Sequence, residues 1–182
     1  MRTAVALALL AVTGAMTVPT GQGQVSDAYR FSGCRWAGAD IAYQDQSGSY
    51  FLTTRAAAGR WNLSAKAVHI HSMPAAALIV TAANLGPTGH YGDTAWTCAN
   101  GRFTSVTTVY NTYYTDGFSF EQRVSVMAHE IGHALGLAHA SSTTGCPIAI
   151  MVANFSETWG RCHEAWPQRS DIEALQALYA PS

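Results

Sequence analysis

Charge is scarce in this sequence: of 182 residues only 12% are Asp, Glu, Lys or Arg, ten basic against eleven acidic, for a formal net charge of −1. So small and balanced a charge creates no long-range field to gather nucleic acid or an anionic lipid surface, and neither partner is expected. Long apolar runs are also missing. No segment approaches the roughly 20 residues that span a bilayer, so a membrane anchor is not expected either. No Cys-x-x-Cys spacing occurs, which argues against a thiolate zinc site or a redox dithiol. Residues 34–182 carry no Pro-rich, Ser-rich or charge-rich linker and no internal repeat, so one compact unit is the economical reading.

What is present begins with an export signal. Arg2 precedes an apolar run from Ala4 to Val12, followed by small and turn-forming residues through Gly23. Residues 1–24 read as a secretory signal peptide with cleavage between positions 15 and 24, and residues 25–182 as a single domain, monomeric and extracellular. Four cysteines remain in that domain, Cys34, Cys98, Cys146 and Cys162. In an oxidising compartment an even number most simply forms two disulfides, and four cysteines allow three pairings.

The chain changes period midway. A strand over Asp40–Tyr43 and a helix over Tyr50–Trp61, with Phe51, Ala58 and Trp61 on one face and Asn62 at its end, are followed by β-rich runs. These are Ala67–His71, Ala77–Ala83, Asp93–Cys98 and Phe103–Tyr110, bounded by Pro, Gly or Asn. From Ser119 the pattern is helical: Ser119 and Gln122 make a capping box, and Val124, Ala128, Ile131 and Leu135 recur at helical spacing. Gly136 should stop that helix. An irregular stretch, Ala140–Gln168, precedes a closing amphipathic helix announced by a capping box at Ser170 and Glu173.

The chemistry lies in HEIGHALGLAH, residues 129–139. His129 and His133, four apart on a helix, place two imidazoles on one face within reach of one metal ion. Six residues further along a straight helix, His139 would point away. Gly136 can enter a left-handed conformation that turns the chain back and delivers His139 as the third ligand. Three neutral imidazoles leave a fourth tetrahedral position open, the arrangement of a catalytic zinc, and Glu130 beside them is the expected general base for hydrolysis of an internal peptide bond. A zinc-fold binding protein without turnover is the alternative, and the retained Glu130 weighs against it.

This motif, with Met151 in Ile150-Met151-Val152, resembles the metzincin clan of zinc endopeptidases, and VMAHEIGHALGLAHA with the closing SDIEALQALYA is most similar to the matrixins. The resemblance implies an α+β metzincin-like zincin: a twisted, mostly parallel sheet with an active-site helix, then an irregular C-terminal subdomain with one closing helix. It also implies one catalytic zinc on His129, His133 and His139, a methionine turn at Met151 beneath it, and a protein or peptide substrate. That substrate would lie extended along an edge strand near Gly92–Cys98, with a side-chain pocket walled by His129 and by residues 152–155. Cys146 and Cys162, on either side of the methionine, look like the arrangement in snapalysins, small bacterial metzincins, and imply a Cys146–Cys162 disulfide. The departures are informative: Ala140 follows the third histidine where reprolysins carry Asp and astacins Glu, snapalysins carry Asp where this chain has His139, and no propeptide cysteine motif of the matrixin type occurs. Cys34 has two readings, a thiolate that caps the zinc or a disulfide to Cys98 that fastens the N-terminal segment to the sheet, and the disulfide is expected. Many matrixins hold a second, structural zinc through His and Asp; the spacing of His69, His71, His90 and Asp93 does not match that site, and these are read as strand or loop residues. Asp93 and Asp116 with neighbouring carbonyls are candidates for calcium, although no loop has calcium-ligand spacing.

Overall fold

The computed structural model describes residues 29–180, so the signal-peptide reading of residues 1–24 lies outside the described residues. Strand β1 (Asp40–Gln46) passes through a 3₁₀ turn into helix α1 (Phe51–Ser64), and β2 (His69–Ser72) returns parallel to β1. β3 (Leu78–Ala83), β4 (Gly92–Ala99) and β5 (Arg102–Asn111) complete the sheet. Its order is β2-β1-β3-β5-β4, with every pairing parallel except the β4–β5 hairpin. A crossover helix lets parallel strands neighbour each other, whereas the two-residue Asn100-Gly101 turn forces β4 back antiparallel as an edge.

Helix α1 buries Thr54, Ala57, Ala58 and Trp61, which recur every three or four residues. Phe51 is exposed instead of sharing that face. Asn62 does not end the helix. Its amide accepts from and donates to the backbone of Ile70, tying the end of α1 to β2. Trp61, wholly buried, donates its indole N–H to Ala128 O at 2.8 Å and so joins α1 to helix α3 (Phe120–Ala134).

Helix α3 opens on the Ser119–Gln122 capping box, in which each side chain bonds the other's backbone N–H. A short helix α2 (Thr112–Thr115), which the sequence did not announce, links β5 to it. The carbonyls left over at the C-terminal end of α3 are met from outside: Trp36 donates to Ala134 O and Tyr179 to Leu135 O. Helix α4 (Arg169–Tyr179) closes the chain. Its capping residue lies two positions earlier than the sequence indicates: Asp171, not Glu173, reaches back to Gln168 N–H, and Glu173 pairs with Arg169 on the surface. The irregular stretch contains one regular piece, a π-helical turn over Ser156–Arg161. Disulfides join Cys34 to Cys98 and Cys146 to Cys162, the first fastening the N-terminal segment to β4, the second closing the irregular stretch on either side of Met151. No described helix is long and apolar enough to cross a membrane.

Candidate metal centre

Helix α3 delivers His129 and His133 one turn apart, and Gly136 then bends the chain. Its φ is +102°, a conformation that costs any side-chain-bearing residue. A Cβ there would also stand 2.5 Å from Cys34 O and 2.8 Å from Leu178. The turn brings His139 back onto the helix. The Nε2 atom of His133 lies 3.1 Å from that of His129 and 3.2 Å from that of His139.

Those distances decide what the cluster can be. Nδ1 of His129 faces Ile150 O at 2.8 Å and Nδ1 of His133 faces Leu137 O at 2.9 Å. A carbonyl only accepts, so each of these Nδ1 atoms carries the proton and each Nε2 presents a lone pair. Bare lone pairs aimed at one another repel, unless a cation lies among them. Tetrahedral zinc with Zn–N bonds of about 2.05 Å sets its nitrogens about 3.3 Å apart, close to the spacing seen, so the residues present fit the ion. Burial acts in the same direction. It pushes His129 down to about 3 and His133 down to about 4, with the neighbouring imidazoles adding to the effect, and it lowers His139 as well, so all three are neutral at pH 7.

Met151 sits under this cluster, fully buried. Gly132 makes room for it, since a Cβ at that position would fall 2.2 Å from its Sδ. The Met151 turn is pinned by Asp171, whose carboxylate accepts from the N–H groups of Ile150 and Met151 at 2.9 and 3.3 Å, from Gln168 N–H at 2.6 Å and from the Tyr29 hydroxyl. Since Ile150 also supplies the carbonyl that orients His129, a carboxylate on the closing helix steadies that imidazole. Nothing in the sequence singles out Asp171, because Ser170 and Glu173, on either side of it, carry the capping pattern.

Glu130 is buried in the wall of the same cleft. Thr94 donates to its Oε2 at 2.7 Å, and burial drives the carboxyl up to about 8 against that hydrogen bond, with nearby Asp93 adding to the rise. A dication beside it would favour the ionised form. Gly92 is the residue that admits it: a Cβ there would lie 2.7 Å from Glu130 Cγ and 2.8 Å from its Oε1. The cleft encloses about 740 Å³ between the β4 edge, Tyr91 to Thr94, and the segment Val152 to Phe155, with the histidines at its floor. Tyr91, Phe118 and Phe155 pack together at one end, Phe118 stacked on Phe155 at 5.3 Å and Tyr91 4.7 Å from Phe155.

The remaining candidates separate. His90 and Asp93 line the cleft, whereas His69 and His71 lie on β2 beside Asp40. Among the described residues Asp93 and Asp116 join no cluster of three ligating side chains, so the calcium site is not supported.

The family profile described as Matrixin matches residues 21–180. Among solved structures the chain is similar to high choriolytic enzyme 1, a hatching enzyme zinc-protease from Oryzias latipes, the medaka fish. The two are 16% identical over 83% of this chain and 96% of that one, with a TM-score of 0.50. It is also similar to myroilysin, 12% identical over 81% of this chain and 96% of that one, TM-score 0.49. At that identity the match to the hatching enzyme concerns the fold alone. No curated protein matches the chain. With a family profile spanning nearly all of the described residues, on a sheet and helix arrangement shared with a zinc protease, the chain belongs to the matrixin family of zinc metalloendopeptidases.

Proposed function

We propose that this is an exported endopeptidase in which His129, His133 and His139 hold the catalytic zinc and Glu130 is the general base. The observation that carries the reading is the clustering of three Nε2 atoms, that of His133 lying 3.1 Å from that of His129 and 3.2 Å from that of His139, with the rings of His129 and His133 aimed by Nδ1 contacts to backbone carbonyls. Zinc held there supplies an acidified water and a Lewis acid for the scissile carbonyl. Glu130 takes a proton from the attacking water and returns one to the leaving amine. Thr94, by its hydrogen bond to Oε2, fixes which carboxylate oxygen is free for that exchange.

The substrate is an extended peptide. β4 is an edge strand whose outer side borders the cleft, so a peptide can add to the sheet there through main-chain hydrogen bonds. Val152 to Phe155 form the opposite wall, and the aromatic group at Phe155 gives the pocket an apolar end. Export is supported by the N-terminal apolar run and by two disulfides, which persist in oxidising compartments. Unfolded casein, incubated with the purified protein with and without a zinc chelator, tests the reading. Cleavage that stops on chelation and returns with zinc is expected. Intact casein would favour a zinc-fold binding protein, and cleavage indifferent to chelation would remove the metal from the chemistry.

A further inference from the structure

A second cluster of ligating side chains stands on the opposite edge of the sheet. β1 and β2 run parallel with Asp40 in register with His69 and Ala42 with His71. Ile41, Tyr43 and Ile70 turn into the core, so the alternate residues Asp40, Ala42, His69 and His71 share the outer face. The rings of His69 and His71 stack at 5.2 Å, and Asp40 Oδ1 lies 2.8 Å from His69 Nδ1 and 3.2 Å from His71 Nδ1.

An ordinary carboxylate–imidazole pair accounts for His69, which is aligned with Asp40 and holds its carboxyl below the usual range, with the nearby His71 ring adding to the effect. It does not account for His71. That Nδ1 is shut off from solvent and makes no hydrogen bond, although a carboxylate oxygen is 3.2 Å away. Closeness without a hydrogen bond between them is compatible with two groups that share an ion instead of bonding to each other. One carboxylate oxygen and two imidazole nitrogens, all within 4.8 Å of one another, form a donor set suited to zinc and its first-row neighbours. Asp40, largely exposed, leaves the remaining positions to water.

We propose that Asp40, His69 and His71 form a second site for a divalent transition-metal ion of the zinc class, separate from the cleft, which clamps the start of β1 to the edge strand β2. The site is not an extension of the first. β2 and β4 are the two edges of a five-stranded sheet, about 19 Å apart at about 4.8 Å per strand, and His90 and Asp93 belong to the cleft. On this proposal the third ligand comes from a strand 29 residues before His69, a pairing that the spacing of His69 and His71 alone does not show.

Equilibrium dialysis of the untagged mature chain against micromolar zinc tests this, with circular dichroism and peptidase activity as checks of folding. The wild type should hold two zinc ions per chain, and His71→Ala and Asp40→Asn one each, with peptide cleavage unchanged. Removal of the weaker ion by a mild chelator should lower the Tm of the wild type and leave that of His71→Ala where it was. One ion in the wild type, or two retained in His71→Ala, would overturn the proposal.

Discussion

Replacing Asp171 by Ala should loosen the metal centre from the far side of the molecule. The substitution leaves the buried N–H groups of Ile150 and Met151 without an acceptor, at about 2 kcal/mol each, and removes the partner of the Tyr29 hydroxyl and the cap of α4, about 1 kcal/mol each. Against this, burial raises the Asp171 carboxyl from 3.8 to about 6, so its ionised form at pH 7 carries a cost of about 3 kcal/mol that the alanine recovers. The net loss at pH 7 is therefore about 3 kcal/mol, which for a domain of this size lowers the Tm by about 10 °C. A folded-state pKa above the unfolded one contributes stability that is complete below 3.8 and is lost as pH rises through about 6. The cost of Asp171→Ala should accordingly grow to about 6 kcal/mol near pH 4. Urea unfolding at the two pH values, with zinc release to a chelator followed on the same samples, checks both halves. Faster zinc release is expected because Ile150 O orients His129, an effect that a plain helix cap would not have. A loss below about 1 kcal/mol at pH 7, a cost that does not grow on acidification, or zinc release at the wild-type rate would refute the reasoning.

Gly92→Ala should displace the Glu130 carboxylate and lower kcat by about 10-fold to 100-fold, a part of what a positioned general base contributes, with zinc content unchanged. Wild-type kcat in that variant would show that Glu130 has room to relocate without loss. Converting Cys146 and Cys162 to Ser opens a loop whose ends are 16 residues apart and should lower stability by about 3 kcal/mol in urea unfolding. An unchanged midpoint would mean that other contacts already hold the segment around Met151.

The candidate site is legible because its pattern is local: the three histidines His129, His133 and His139, with Glu130 and the turn at Gly136, fall within one helix and its turn, where spacing alone fixes geometry. The Ser119 cap was legible for the same reason. Asp171 was not, since Ser170 and Glu173 satisfy the capping pattern equally well, and only the docking of α4 under Ile150 and Met151 selects the residue between them. Gly92 and Thr94 look like ordinary strand residues until β4 is laid against α3 and their closeness to Glu130 appears. Asp40 joins His69 and His71 only through the parallel register of β1 and β2, a long-range pairing that no local period encodes. The π-helical turn at Ser156–Arg161 lies within a stretch closed by the Cys146–Cys162 bridge, where covalent closure rather than a residue period shapes the chain.

The central claim is that Glu130 moves protons and does not ligate the metal, and Glu130→Gln tests it most directly. Glutamine keeps the size of the side chain and can still accept from Thr94 through its amide oxygen, so fold and zinc content should match the wild type. The measurement is kcat on a peptide substrate together with zinc per chain in the same preparation. The account predicts full metal with turnover lowered by about 100-fold to 10,000-fold; loss of zinc, or turnover near the wild-type value with zinc in place, would contradict it.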